Sequence, residues 1–327
     1  MKNLFLLMER ELEEGRSCYL CSLVANEGST PRGSGAHMVV GCEGLLGGTI
    51  GGGAMEYAAV NKARELLRQG KAASFVEHYD LTPRAGLACG GSCTVLFTLI
   101  DAESRGAIEQ GLLAENNGST YWLQLPWADA SLQSKAMEII FTANEAVKNL
   151  PSGKRQGNVR LAADTFYVEQ FNYDGAVYVF GAGHVARELV PLLSQLGFRC
   201  LVLDDRAEFA QKELFPTAQQ VLQVDYTKLA DSISVGSRDY AVVMTRGHQY
   251  DAEAERYLLH TDAKYIGIMG SKHKAALAKE ALLAEGYSQQ QLARITTPIG
   301  IDINSETLAE IAVSIAAQLI KIRNKRK

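Results

Sequence analysis

The feature that most constrains this 327-residue chain is the regular alternation of apolar strands and helical patterns after Tyr173. Five short apolar runs follow one another there, namely AVYVF, CLVLDD, VLQV, YAVVM and YIGIMG. Strands that alternate with helices pack as a parallel sheet with helices on both faces. We therefore predict an α/β protein with a Rossmann-like doubly wound parallel sheet over residues 174–327. Residues 1–173, where short helices and strands mix, are predicted to form a separate amino-terminal α/β domain.

The first strand of the alternating region runs into a glycine turn and a helix, in the stretch VYVFGAGHVAREL. Its spacing, Gly181-x-Gly183-x-x-Ala186, is typical of a dinucleotide-binding fingerprint. The first glycine permits the tight turn, the second lets a pyrophosphate approach, and Ala186 is small enough for the helix to pack closely on the strand. The context of strand, turn and helix predicts a nucleotide site at this turn.

The next strand ends in two acids, Asp204 and Asp205. Both lie at the distance where a carboxylate meets the adenosine ribose of a dinucleotide, which favours NAD over NADP. Arg206 follows directly and leaves NADP open, because an arginine can accept a 2′-phosphate. The alternative is a Rossmann-like domain that has lost its nucleotide.

Two further polar clusters follow strands of the same predicted sheet, whose carboxyl ends form the ligand crevice. Thr245, Arg246, His248 and Asp251 follow YAVVM, and Gly270 and Ser271 follow YIGIMG. His248 is a candidate base or ligand, with a hydrogen-bonding surface histidine in a loop as the alternative. His184, inside the fingerprint turn, is a second catalytic candidate because its ring would face whatever the glycine loop holds.

A second glycine passage, GLLGGTIGGGAMEY, lies in the amino-terminal half. Glycines let backbone N–H groups approach an anion at a helix start, so we predict phosphate contacts from Thr49, Gly51, Gly52 and Gly53. The alternative is a tight strand–helix connection that needs positive φ angles. Arg32 is a candidate second phosphate ligand or, equally, a turn residue paired with an acid.

The chain contains six cysteines, and their contexts predict two different roles. Cys18 and Cys21 lie three apart in a predicted strand, so they point to opposite faces and are expected to pack as small hydrophobic side chains. Cys89 precedes two glycines in LACGGSCTVLF and is expected to be approachable, whereas Cys93 lies within a predicted strand. A thiolate in such a loop suits a soft metal–sulfur centre.

Net charge and hydropathy argue against two classes of partner, nucleic acids and membranes. The formal net charge of −4 argues against a general nucleic-acid binder. The apolar start LFLLM is too short to span a bilayer, and no signal-peptide pattern precedes it. We therefore expect a cytoplasmic protein without nucleic-acid or membrane partners.

Several ordered motifs match one known family. Along the amino-terminal half these are GSTPRGSGAHMVV, GTIGGGAMEY and CGGSCTVLF, and along the second half VFGAGHVARELVPLLSQLGFRCLVLDDR, YIGIMGSKHK and TPIGIDINSETLAEIAVSIAAQLI. On these motifs the sequence resembles the XdhC/CoxI family of xanthine dehydrogenase accessory proteins over nearly its whole length. It departs from the family's common Thr-His-x-His-x-x-Asp, because Arg246 stands where the first histidine would be. This departure indicates a subgroup with a different ligand or role.

The resemblance implies a function in the maturation of molybdenum hydroxylases. Family members are similar to chaperones that bind molybdenum cofactor, support its sulfuration and deliver it to an apo-enzyme. It further implies a hydroxylase client, which the sequence does not identify, a cysteine desulfurase partner and a homodimer. Cys89 would contact the molybdenum–sulfur centre, and Arg32 and Cys89 would lie beside GTIGGG in a cleft facing the Rossmann domain.

Two other functions stay open at this point. One is an NAD(P)-dependent oxidoreductase for an unidentified small molecule, with His184 or His248 as proton donor. The other is a non-enzymatic scaffold whose partner binding is regulated by a nucleotide.

Overall fold

The computed structural model of the chain describes residues 1–28, 33–81, 91–127, 136–142, 144–151, 154–161 and 164–324. The chain divides into two compact units, Met1–Tyr173 and Asp174–Lys327, called here the amino-terminal unit and the carboxy-terminal unit. Within the described residues, no helix is both long and apolar enough to cross a membrane.

The amino-terminal unit has two antiparallel sheets in its described part. A five-stranded sheet has the order β3-β2-β1-β5-β4, with β1 (Cys18–Glu27), β2 (Ala36–Gly41), β3 (Gly44–Gly48), β4 (Phe75–Asp80) and β5 (Ser92–Ile100). A four-stranded sheet has the order β7-β6-β9-β8, with β6 (Tyr121–Pro126), β7 (Glu138–Ile140), β8 (Gln156–Leu161) and β9 (Asp164–Phe171). The helices described here are α1 (Lys2–Glu13), α2 (Gly53–Arg68), α3 (Arg105–Asn117) and α4 (Glu145–Lys148).

Strand β1 separates two hydrophobic cores of this unit. Cys18 packs in the core that contains side chains of α1 and α3, and Cys21 packs with side chains of α2 on the opposite face. Both cysteines are fully buried. The predicted strand with its cysteines on opposite faces is therefore confirmed.

The structure differs from the sequence-based expectation at three elements of the amino-terminal unit. The start of the glycine passage is a strand, β3, because Gly44–Gly48 pairs with β2. The stretch LPSGKRQGN, residues 150–158, predicts an exposed loop, but the loop ends earlier, since Gln156 already pairs with β9. Helix α3 has no counterpart among the predicted elements. Glycines and polar residues carry no hydrophobic alternation, so pairing with a neighbouring strand, rather than local pattern, determines β3 and β8.

The carboxy-terminal unit has a six-stranded parallel sheet in its described part, with the order β12-β11-β10-β13-β14-β15. Its strands are β10 (Val177–Phe180), β11 (Cys200–Asp204), β12 (Gln220–Gln223), β13 (Tyr240–Val243), β14 (Tyr265–Ile268) and β15 (Ile295–Thr296). Its helices are α5 (His184–Gln195), α6 (Leu229–Ser232), α7 (His248–Leu259), α8 (Lys272–Ala284), α9 (Gln289–Leu292) and α10 (Leu308–Arg323). The strand order reverses between β10 and β13, which is where ligands bind in such sheets.

Helices cover both faces of the parallel sheet. On one face, side chains of β10, β11 and β13 pack with Leu189 of α5 and Ile315 of α10. On the other face, alternate residues of the same strands pack with Ala254 and Leu258 of α7. The doubly wound α/β class predicted from the sequence is confirmed.

Candidate functional site

The fingerprint turn joins β10 to α5 and explains why two of its residues are glycine. Gly181 has a φ of 105°, and a Cβ there would lie 2.5 Å from the carbonyl oxygen of Met244. Only glycine fits a backbone that is both left-handed and this close to β13. At Gly183, by contrast, a Cβ would meet nothing within 4 Å. Among the described residues nothing crowds Gly183 at the position of a Cβ, as the close approach of a pyrophosphate requires.

The start of helix α5, next to Gly183, presents uncapped amides. Gly183 is the N-cap residue and has no side chain that could accept a hydrogen bond from the first turn. The first N–H groups of a helix have no partner within the helix, and the helix dipole favours an anion there. Ala186 is fully buried against the sheet, as the fingerprint predicts, and His184 is exposed at the first helical position.

Asp204 ends β11 and is fixed by hydrogen bonds within the protein. Its carboxylate accepts from the Ala182 amide (2.8 Å), from Arg206 Nε (2.8 Å) and from the second guanidinium nitrogen of Arg206 (3.0 Å). Burial alone would raise the pKa of Asp204, but the hydrogen bonds from Arg206 and from backbone amides outweigh it and lower the pKa. Asp204 thus holds the glycine turn to the end of β11, with Arg206 as its partner.

Asp205 is the acid with access to a ligand. It lines a depression of about 370 Å³ beyond the ends of β11 and β12, together with Asp225, Tyr226 and Tyr250. The rings of Tyr226 and Tyr250 stack with centroids 5.1 Å apart. A carboxylate beside stacked aromatic rings at this edge of the sheet suits the ribose and base of a nucleotide. The sequence pattern alone did not separate Asp205 from Asp204.

The loop after β13 is held by a carboxylate. The amide and the hydroxyl of Thr245 donate to Oδ1 of Asp251, at 3.1 and 2.6 Å. Helix α7 begins at His248, with Gly247 as its N-cap residue, so His248 lies at the start of a helix rather than within a loop. The side chain of His248 lies outside the described part of the structure. Arg246 is exposed.

The loop after β14 contributes to a cavity of about 880 Å³ in the carboxy-terminal unit. Gly270, Thr245 and Arg246 line this cavity, together with residues of α7 and α8. Ser271 has a different function, since its hydroxyl caps α8 by accepting from the Lys274 amide at 3.3 Å. The two predicted polar clusters therefore border the same cavity.

The second glycine passage forms an anion loop that already holds a carboxylate of the chain. Oε2 of Glu56 accepts from the Thr49 hydroxyl (2.6 Å), the Ile50 amide (2.9 Å) and the Gly52 amide (3.1 Å). Gly51, Gly52 and Gly53 all have φ angles between 68° and 137°. Burial acts to raise the pKa of Glu56, but these hydrogen bonds outweigh it and lower the pKa.

The predicted neighbours of this loop, Arg32 and Cys89, lie outside the described residues. Cys93 is buried, its thiol donates to the Met55 sulfur at 2.9 Å, and burial raises its pKa to about 11. Burial also raises the pKa of Cys18 and of Cys200 to about 12. These three side chains are therefore thiols rather than reactive thiolates.

A buried polar network in the amino-terminal unit was not found from the sequence. Nε2 of His37 lies 2.8 Å from Oε2 of Glu169, and its Nδ1 lies 2.8 Å from the Ser22 hydroxyl. The Tyr167 hydroxyl donates to the same Glu169 oxygen at 2.8 Å. No spacing rule connects His37 with Glu169, because they lie on strands of two different sheets. Elsewhere among the described residues, no group of three or more His, Cys, Asp or Glu side chains is arranged to hold a metal ion.

Comparison with known proteins agrees with this architecture. A model described as the XdhC Rossmann domain matches residues 177–319, and a model described as the XdhC and CoxI family matches residues 11–80. The chain belongs to the XdhC and CoxI family. The resemblance predicted from the motifs is therefore confirmed.

Relatives of the family extend along the whole chain. A Bacillus subtilis protein named as a probable xanthine dehydrogenase subunit is 25% identical, and the alignment covers 99% of each chain. The molybdenum cofactor insertion chaperone PaoD of Escherichia coli is 25% identical over 95% of this chain and 85% of its own. A solved structure of a xanthine dehydrogenase from Bacillus halodurans has the same fold, with a TM-score of 0.77, 22% identity and coverage of 99% of this chain and 96% of that one.

Replacing each of the two fingerprint glycines by alanine is expected to change the free energy of unfolding by different amounts. Gly181→Ala is expected to lower the free energy of unfolding by about 2 kcal/mol or more, because a Cβ there meets backbone at a positive φ. Gly183→Ala is expected to change it by less than about 0.5 kcal/mol, since its Cβ meets open space. Chemical denaturation of both variants measures the difference, and equal stability of the two would contradict the geometry.

The contribution of Glu56 to the free energy of unfolding is expected to depend on pH. Because its pKa is lowered in the folded state, its contribution is present above the unfolded pKa and is lost as the pH falls through the folded pKa. Glu56→Gln is therefore expected to cost about 1 kcal/mol at pH 7 and progressively less below about pH 4.5. Urea unfolding across that range measures it. Glu65→Gln, at an exposed position of α2, is the matched control, and a pH-independent difference for Glu56→Gln would contradict the assignment.

Proposed function

We propose that this protein is an accessory factor for the maturation of molybdenum hydroxylases, which binds molybdenum cofactor and assists its sulfuration and insertion. The observation that carries the proposal is the match of 95% of this chain to a relative named as a molybdenum cofactor insertion chaperone. The alignment spans residues of both units, so the likeness to that relative is not confined to a nucleotide-binding fold.

The residues present fit a phosphate-bearing cofactor in the carboxy-terminal unit. The cofactor carries a pterin, a phosphate and a dithiolene that holds the metal. Uncapped amides at the start of α5 and the open space above Gly183 suit the phosphate. The loop at Thr49–Gly53 has the same chemistry, but the Glu56 carboxylate takes two of its amides, so a phosphate there would have to displace Glu56.

Sulfuration needs a thiolate that can be reached. The buried thiols of Cys18, Cys93 and Cys200 have raised pKa values and are poor candidates. Cys89, beside two glycines in the sequence, is therefore our candidate for the sulfur or metal contact. We include a cysteine desulfurase and a hydroxylase client as partners, and a cytoplasmic homodimer as the working form, since C2 dimers are the commonest assemblies.

The test is purification from a strain that makes the cofactor, followed by assays for molybdenum and for oxidised pterin fluorescence. We expect both in the purified protein and a loss of hydroxylase activity when the gene is deleted. Cys89→Ala is expected to retain the pterin but fail to restore hydroxylase activity, whereas Cys93→Ala restores it. Absence of molybdenum and pterin, with full hydroxylase activity in the deletion strain, would refute the proposal.

Nucleotide binding is a second candidate function, because Asp205 and the stacked tyrosines lie at the edge of the sheet where a ribose and base would bind. It would serve an oxidoreductase or a nucleotide-regulated scaffold. Titration with NADH and NADPH, followed by nicotinamide fluorescence, tests it. We expect NADH to bind more tightly, since Arg206 is engaged by Asp204. Asp205→Asn is expected to weaken NADH binding about tenfold, and Asp231→Asn, on α6, is the control. Failure of both nucleotides to bind would exclude this function.

A further inference from the structure

The cavity of about 880 Å³ in the carboxy-terminal unit is distinct from the depression at Asp205. It lies beyond the ends of β13 and β14 and is lined by residues of α7, α8 and the segment from α9 to β15. Its volume is within the range of about 300–1,000 Å³ that encloses a small organic ligand. Met244, which also touches the fingerprint turn at Gly181, forms part of its wall.

Most of the cavity wall is apolar. Ile268, Met269, Leu282 and Leu292 line it, and small side chains of α7 and α8 such as Ala252 leave the room between them. Leu282 and Leu292 are nearly fully buried. Such a wall suits a flat ring system, which gains free energy by leaving water.

One carboxyl group interrupts this apolar wall. Glu255 of α7 lines the cavity and is only 5% exposed. Burial, followed by the charge of Asp251, raises the pKa of Glu255 to about 7, and no hydrogen bond from a described residue opposes this shift. The neighbouring Arg256 lowers the pKa slightly, but its guanidinium is engaged by Glu285 at 2.6 and 2.7 Å. No hydrogen bond from a described residue reaches this carboxyl, and a ligand with N–H groups would supply such donors.

Cationic side chains line the same cavity. Arg246, Lys274 and Lys279 are exposed lining residues, and no ion pair among the described residues involves them. If the ring of a ligand is buried against Glu255, an anionic substituent that extends from the ring would therefore lie near these positive charges.

We propose that this cavity binds a 2-amino-4-oxopyrimidine ring, the edge shared by pterins and guanine, through paired N–H donors to Glu255, with an anionic substituent at Arg246 and Lys274. This edge presents an amino group and an adjacent ring N–H, two parallel donors that match the two oxygens of a carboxylate. Adenine presents one donor beside an acceptor and would leave one carboxylate oxygen unpaired. A pterin ligand would deepen the proposed function and rests on it, whereas a guanine nucleotide would not.

Titration of the full chain with pterin-6-carboxylate, GMP and AMP tests the site, with calorimetry as the readout. We expect pterin-6-carboxylate or GMP to bind at least tenfold more tightly than AMP. Tighter pterin binding identifies the cofactor ring as the source, and tighter GMP binding identifies a nucleotide. Equal binding of all three, or binding of none, would overturn the proposal.

Substitutions of residues that line the cavity test whether the ligand binds there. Glu255→Gln keeps the side-chain size and is expected to weaken the preferred ligand at least tenfold, and Glu253→Gln on the same helix is expected to leave it unchanged. Ala278→Phe fills the cavity without changing its charge and is expected to abolish binding, which covers the case in which Glu255→Gln unfolds. Unchanged affinity in folded Ala278→Phe overturns the site. Molybdenum content and hydroxylase activity in the deletion strain, measured separately, test the proposed function, so the two failures are distinguishable.

Discussion

The hydrogen bond from the Ala182 amide to the Asp204 carboxylate is the interaction on which the candidate site of the carboxy-terminal unit depends. It ties the glycine turn to the end of the neighbouring strand, and Arg206 completes the carboxylate's coordination. Because the turn is fixed in this way, the amides at the start of α5 point to open space above Gly183. Asp204 is engaged by these hydrogen bonds within the protein, whereas the carboxylate of the next residue, Asp205, is partly exposed and lines the depression at the ends of β11 and β12.

Both glycine loops present backbone amides that suit an anion, but they differ in what those amides contact. At Thr49–Gly53 a run of positive φ angles aims amides at one point, and the Glu56 carboxylate fills that point. At Gly181–Gly183 the first glycine has a positive φ, and no described side chain caps the helix that follows. A loop whose amides bind a carboxylate of the same chain is typical of a structural connection between two elements. A loop whose amides are not capped in this way is typical of a ligand-binding site. Glycine content alone does not distinguish them.

The sequence correctly predicted those features of the structure that depend on residues near one another in the chain. The alternation of strand and helix indicated the parallel sheet, and the two-residue period placed Cys18 and Cys21 on opposite faces of β1. The capping box at the start of α10 is likewise formed by two residues close in the chain, Thr307 and Glu310. In each case the residues involved are near one another in the chain.

Features that depend on distant contacts were not predictable in this way. The pair of His37 and Glu169 joins strands of two sheets, 132 residues apart. In the sequence Glu255 is an ordinary helix acid, and only the packing of α8 and α9 around it makes it a buried carboxyl in a cavity. Asp204 and Asp205 are neighbours in the sequence, and only the structure shows that Asp204 accepts from the Ala182 amide and from Arg206. Tertiary packing assigns such roles, so a sequence pattern supplies candidates rather than functions.

The most direct test of the proposed cofactor site is a crystal structure of the full chain purified from cells that make molybdenum cofactor. We predict a phosphate at the start of α5, above Gly183, with Asp204 still bound to Arg206 and Glu56 still in its own loop. A cofactor phosphate seated at Thr49–Gly53 with Glu56 displaced, and nothing at α5, would contradict this prediction.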